Sequence, residues 1–379
     1  MTTSAVFFRQ PAWVRVVLAT VFVTLVNSAA LAAGCGPVFQ SGRHDLKIMS
    51  DGVERSAVYF VPSAYDGKRK MPLVFDFHGS NSHPEGQMNR SHWDEIGERE
   101  GFMVIALQGS LDGSFKGAHA WNVPGVKPLP GVSEENGLDE EQFIRDAVAY
   151  AKETFCVDPA RIYATGYSGG GRMLSQFICN GNSEFAAAGF MMGLRAGYPE
   201  QEEGVWRPRP DTCKPAKPIS IIAFSGLKDD VNPFSGGGKP YWQYGGKVAV
   251  GRWAELNGCD MKPMTGEGEE ISVSSYVSCK NGVGVMSYVI ADAGHSWPSQ
   301  KLLFQLASTG NQPSREVDAT GRIWDFFQTS GGGLLAGQPG QAACPTAKNA
   351  GPDSTGGQGK TCSQPLGSAS SEPAVVGDL

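Results

Sequence analysis

The chain has 379 residues, a formal net charge of −6 and an apolar content of 41%. That is enough to bury a sizeable core in one large domain or two modest ones. Lysine and arginine do not cluster, which excludes the electrostatic footprint of a nucleic-acid binder.

Arg9 and Arg15 precede an apolar run over 16–26, and Ser28-Ala29-Ala30-Leu31-Ala32-Ala33 follows it. This charged, apolar, small-residue order is that of a secretory signal over residues 1–33. The run is short for a spanning helix, so no stable membrane insertion is expected. Acylation of Cys35 suits the sequence less well, because Ala32 stands where a lipoprotein would carry leucine. Eight cysteines behind such a segment predict disulfides and an oxidising compartment, extracellular or periplasmic. No C-x-x-C or H-E-x-x-H occurs, so no metal or other cofactor is implied.

From residue 34 to 329 short apolar runs alternate with helical patterns. The predicted strands are Ala57–Val61, Pro72–Phe77, Phe102–Leu107, Arg161–Thr165, Ala187–Met192, Ile219–Phe224 and Val285–Ile290, each bounded by Gly, Pro or Asp. A helix is predicted to start at Asp139, with Gln142 reaching back in a capping box, and to run through Phe143, Ile144, Ala147, Val148 and Ala151. A second follows Ser168. A third spans about Ser314 to Phe327. Strand–helix alternation predicts an α/β domain with a mostly parallel sheet covered on both faces. Residues 330–379 are rich in Gly, Ser, Pro and Gln and predict a mainly disordered tail, with Cys344 and Cys362 able to close a small loop.

Gly166-Tyr167-Ser168-Gly169-Gly170 matches G-x-S-x-G. Such a serine sits on a tight strand-to-helix turn, and its neighbours lack side chains because the chain packs closely there. Arg161–Thr165 is a credible strand leading in, and Arg172–Ile178 a credible helix leading out. A dinucleotide site would need G-x-G-x-x-G, which Ser168 breaks. A hydroxyl is a poor nucleophile near neutral pH and needs a base. His295 is the only histidine after Ser168, and it lies in a loop beyond the last predicted strand. The acid that orients it should lie between them, and Asp229 and Asp230 after Ile219–Phe224 are the candidates. Asp292 is too near His295 in sequence to face it easily. An oxyanion hole would take backbone N–H groups from Gly169 and, in the loop after Pro72–Phe77, from Ser80. His78 then organises that loop and is not a base.

His78-Gly79-Ser80, the run from Cys156 through Asp158-Pro159 to Gly166, the Ser168 elbow, Gly226 with Asp229 and Pro233, and Gly294-His295-Ser296-Trp297-Pro298 stand in this order. Together they resemble the secreted feruloyl esterase and polyhydroxybutyrate depolymerase family of α/β-hydrolases, over about residues 35 to 329. The resemblance implies a triad of Ser168, Asp229 and His295, preferring Asp229 over Asp230. It also implies disulfides Cys35–Cys156, Cys179–Cys213 and Cys259–Cys279. Two departures are visible. Ser225-Gly226-Leu227 lacks the family's leading histidine, and Ser80 replaces a cysteine in the oxyanion loop.

The resemblance leaves the ester open, between aryl esters on plant cell-wall polysaccharide and aliphatic polyester. Trp121 and Trp297 are candidate substrate-binding rings, with packing under their loops as the alternative, and Tyr241, Trp242 and Tyr244 are a candidate further wall. The tail is too poor in apolar residues to be a polyester-binding domain, which favours a feruloyl or similar carbohydrate-linked ester. The alternatives are a polyester depolymerase, an acetyl xylan esterase, a peptidase and a non-catalytic binding protein on the same fold. The expected partner is an ester substrate, polymer-linked. Oligomeric state is left open.

Overall fold

A computed structural model describes residues 1–2, 35–132, 137–298 and 317–330. Apart from residues 1, 2 and 330, the expected signal segment and tail lie outside the described residues, as do Cys344 and Cys362.

Each of the seven predicted apolar runs lies in or overlaps a strand of one ten-stranded sheet. Its strands are β1 (Gly42–Ser50), β2 (Val53–Val61), β3 (Met71–Phe77), β4 (Met103–Leu107), β5 (Val157–Tyr167), β6 (Ala187–Met191), β7 (Ser220–Gly226), β8 (Met264–Glu267), β9 (Ile271–Tyr276) and β10 (Val285–Ile290). The spatial order is β1-β2-β4-β3-β5-β6-β7-β10-β9-β8. Pairing is parallel from β4 through β3, β5, β6 and β7 to β10, and antiparallel outside that block. β3, β4 and β6 are buried at every position. Helices on both faces account for this, since a parallel sheet connected by crossovers has no free face.

The helices are α1 (Pro84–Ser91), α2 (Trp93–Glu100), α3 (Glu140–Thr154), α4 (Gly169–Cys179), α5 (Gly246–Leu256) and α6 (Ala319–Ser330). Two apolar cores flank the sheet. One joins it to α3, α4 and α5 through Phe143, Phe177 and Trp253. The other joins it to α1, α2 and α6 through Met88, Trp93 and Phe327. This is the α/β-hydrolase arrangement.

Local chemistry explains the helix starts. The Asp139 side chain accepts the Gln142 N–H at 2.9 Å, as the sequence predicts. The reciprocal half of the box is absent. Gln142 bonds Asp146 and Arg145 instead, both at 2.8 Å, because partners three and four residues on share its helix face. α6 begins later than predicted, where Asp318 accepts the Gly321 N–H at 3.0 Å, and residues 314–316 lie outside the described residues. β1, β8, β9, α1, α2 and α5 were not predicted.

Because β3, β5, β7 and β10 run parallel, their C-terminal ends share one edge of the sheet. His78-Gly79-Ser80, Ser168, Asp229 and His295 follow those four ends. Ligand sites in open α/β sheets form at that edge.

Candidate active site

Ser168 joins β5 to α4 with φ 51° and ψ −111°, a conformation that non-glycine residues rarely adopt. The turn is held from both sides. The Ser168 N–H donates to the Met191 carbonyl at 2.8 Å. A Cβ at Gly166 would meet the Gly170 backbone at 2.7 Å, and one at Gly170 would collide with the Phe77 carbonyl. The two glycines of the motif are therefore required by close approach, and the serine is pushed to the sheet edge.

The structure brings Ser168, His295 and Asp229 together. His295 Nε2 lies 2.9 Å from Ser168 Oγ, and Nδ1 lies 2.8 Å from Asp229 Oδ2. Asp229 Oδ1 accepts the N–H groups of Val231 and Asn232 at 3.0 and 2.7 Å. Those bonds fix which carboxylate faces inward. Asp229 is buried, whereas Asp230 and Asp292 are exposed. With Nδ1–H donating to Asp229, Nε2 is free to accept from the serine hydroxyl.

Ser80 and Gly169 also meet. A Cβ on Gly169 would run into the Ser80 hydroxyl and pass 2.9 Å from the Ser80 nitrogen. Gly169 opens α4, where the first N–H groups lack a helical carbonyl partner. His78 organises this loop from beneath. Burial pushes its imidazole down to about 3, so the ring is neutral. Nε2 accepts the Gly109 N–H at 3.0 Å, which puts the proton on Nδ1, donated to the Gly79 carbonyl at 2.8 Å.

The two tryptophans are buried. Trp121 is 3% exposed, donates from Nε1 to the His78 carbonyl at 2.7 Å and packs on Phe77. Trp297 is fully buried and donates to Thr320 Oγ1 at 2.8 Å. Their burial favours packing under the loops over the expected substrate-binding role. Each ring brings a large apolar face and one N–H, and both are satisfied inside the protein. Trp242 and Tyr244 are buried as well, bonded to the Pro233 and Gly197 carbonyls.

Three neighbours escaped sequence reasoning. The Tyr167 hydroxyl donates to the His295 carbonyl at 2.8 Å, and its ring centroid lies 5.3 Å from the imidazole. Burial pushes that phenol up to about 12, so it stays a donor. Asn232 donates from its N–H to Asp229 and from Nδ2 to the Met192 carbonyl at 2.6 Å. Arg172, one turn after Ser168, donates to Ser80 Oγ at 3.3 Å. Only the aromatic residue inside the G-x-S-x-G motif offered a sequence signal for any of them.

Disulfides join Cys35 to Cys156, Cys179 to Cys213 and Cys259 to Cys279. Among the described residues no group of His, Cys, Asp and Glu could hold a metal ion, and no helix is long and apolar enough to cross a membrane.

No family model matches the chain. Feruloyl esterase B of Piromyces equi is 29% identical over 248 residues, 64% of this chain and 42% of that protein. The bifunctional acetylxylan esterase/xylanase XynS20E of Neocallimastix patriciarum is 24% identical over 160 residues, 42% of this chain and 19% of that protein. Feruloyl esterase C of Emericella nidulans is 24% identical over 310 residues, 79% of this chain and 92% of that protein. The chain thus spans less than half of the first two relatives and nearly all of the third. In sequence it is a relative of the feruloyl esterases, and in fold it is an α/β-hydrolase.

Proposed function

We propose that this chain is a secreted serine carboxylic-ester hydrolase that releases ferulate or a similar cinnamoyl group from plant cell-wall polysaccharide. The observation that carries the chemistry is the unbroken hydrogen-bond chain from Ser168 Oγ through His295 to Asp229. The related feruloyl esterases support the substrate class. Three disulfides support an oxidising compartment.

Ser168 Oγ attacks the ester carbonyl while His295 Nε2 takes its proton. Asp229 holds the imidazole in the right tautomer and stabilises it when protonated. The carbonyl oxygen gains negative charge and is met by the N–H groups of Gly169 and Ser80. Collapse of this intermediate breaks the bond to the alcohol, which leaves with the proton from His295. Ser168 is then acylated. Water attacks the acyl-enzyme with His295 again as base, and the bond to Ser168 Oγ breaks as His295 returns the proton to it, so the acid departs.

A second reading, acetyl xylan esterase, is favoured by the relationship to XynS20E. Incubating the protein with feruloylated arabinoxylan and with acetylated xylan separates the two. Ferulate release that Ser168→Ala abolishes supports the first. Acetate release alone supports the second, and release of neither overturns both.

A further inference from the structure

Arg172 is a charged group beside this site that the esterase mechanism leaves unused. It is buried at 3% exposure, one turn after Ser168, with its N–H bonded to the Ser168 carbonyl at 3.0 Å. Its guanidinium carries five N–H donors. Nη2 reaches Ser80 Oγ at 3.3 Å, while Nε and Nη1 are buried without a hydrogen-bond partner. Tyr241 lies 5.5 Å away, near the outer limit for a cation–π contact. Among the described residues no carboxylate pairs with it. Burial lowers its proton affinity, and a second buried cation, Arg195, lowers it further. An uncompensated buried charge is strongly destabilising, and a methionine of similar volume would avoid it. Packing alone therefore does not account for arginine here.

The position does. A Cβ on Gly169 would meet both the Ser80 hydroxyl and the Ser80 nitrogen, so Ser80, which the guanidinium reaches, sits against the residue that follows the nucleophile. We propose that Arg172 is a positioning residue of the oxyanion pocket. It fixes the Ser80 hydroxyl, and through it the Ser80 N–H, and holds positive charge that is answered only when the tetrahedral oxyanion forms. A fixed charge in a water-poor site favours the transition state over the neutral ester, so the benefit goes to kcat. The inference rests on the esterase reading and adds to it how the pocket is charged.

The test compares wild type with Arg172→Met, Arg172→Lys and Ser80→Ala, using a nitrophenyl ester and an arylboronic acid, which forms an anionic tetrahedral adduct on the serine. Arg172→Met should lower kcat about 10- to 100-fold, with KM changed less than about two-fold. Boronate affinity should fall by a similar factor, and Arg172→Lys should recover part of both. Ser80→Ala should lower both in the same direction but by less, and it reads the bond even if Arg172→Met does not fold. Wild-type kcat in a folded Arg172→Met or in Ser80→Ala overturns the inference. So does a kcat loss with undiminished boronate affinity, which a merely structural role would give. A wild-type protein that hydrolyses no ester overturns the esterase reading itself, so the two failures are distinguishable.

Discussion

The middle of the sheet and its margins are built on different terms. β3, β4 and β6 are buried at every residue, while β8 is exposed at all four positions and β9 half-buried at all six. Helices cover the parallel block on both faces, and the antiparallel margins keep a face toward water. The proposed chemistry sits on the first region, since Ser80, Ser168, Asp229 and His295 follow β3, β5, β7 and β10. Two of the three disulfides serve the second, while Cys179–Cys213 joins the end of α4 to the segment before β7. Cys35–Cys156 ties the segment before β1 to the start of β5, and Cys259–Cys279 closes the loop that holds β8 and β9. Burial fixes the centre, and restriction of the unfolded chain secures the edges.

The comparison breaks first at the centre. Ser168→Ala or His295→Ala should lower kcat on a nitrophenyl ester by about 10⁴-fold or more, with thermal unfolding little changed. Asp229→Asn should lower it by about 10⁴-fold, because the imidazole loses its tautomer, while the exposed Asp230→Asn should leave it unaltered. Equal effects of the two substitutions would contradict the geometry.

Trp121 sharpens it in energy. Trp121→Ala should cost about 3–5 kcal/mol in a denaturant titration, since a buried ring and a donor to the His78 carbonyl are lost. A stable variant with raised KM for aryl esters would return Trp121 to the substrate cleft.

At the margin, Cys259→Ser with Cys279→Ser should cost about 3 kcal/mol and speed proteolysis between those positions, with kcat unaltered. A fall in kcat larger than the loss of folded protein would show that the margin reaches the site.

The smallest effect concerns pH. His78 resists protonation in the fold, so the unfolded chain binds more protons below its ordinary value of 6.5, and stability is lost as pH falls toward about 3. Asp76 opposes this. Burial raises its carboxyl from 3.8 to about 6, so the folded chain takes up that proton first and gains stability as pH falls through the same window. The two slopes are each about 1.4 kcal/mol per pH unit and nearly cancel between about pH 6 and pH 4. Asp76→Asn removes one of them. Its stability, read by denaturant midpoints, should fall that much more steeply than wild type on acidification, and a matching slope would contradict the assignment.

What was legible follows the same division. Central strands such as the one predicted over Phe102–Leu107 read as unbroken apolar runs because no face meets water. β1 did not, since its outward residues alternate with the few that are buried. The chain order of serine, acid and histidine narrowed the site to a few residues and left Asp229 and Asp230 open; the resemblance favours Asp229, and the backbone N–H groups of Val231 and Asn232 give the physical reason. Trp121 and Trp297 left two readings open, because a tryptophan in a site loop has the same sequence signature whichever way its ring turns. Arg172 left no signal, as its meaning lies in Ser80, ninety-two positions away in the chain.

The central claim is that His295 activates the hydroxyl of Ser168. Reaction with a fluorophosphonate, followed by mass analysis of the digested protein, tests it most directly. The account predicts one adduct, on the Ser168 peptide, formed several orders of magnitude more slowly in His295→Ala. An adduct elsewhere, none at all, or equal rates in the two proteins would contradict it.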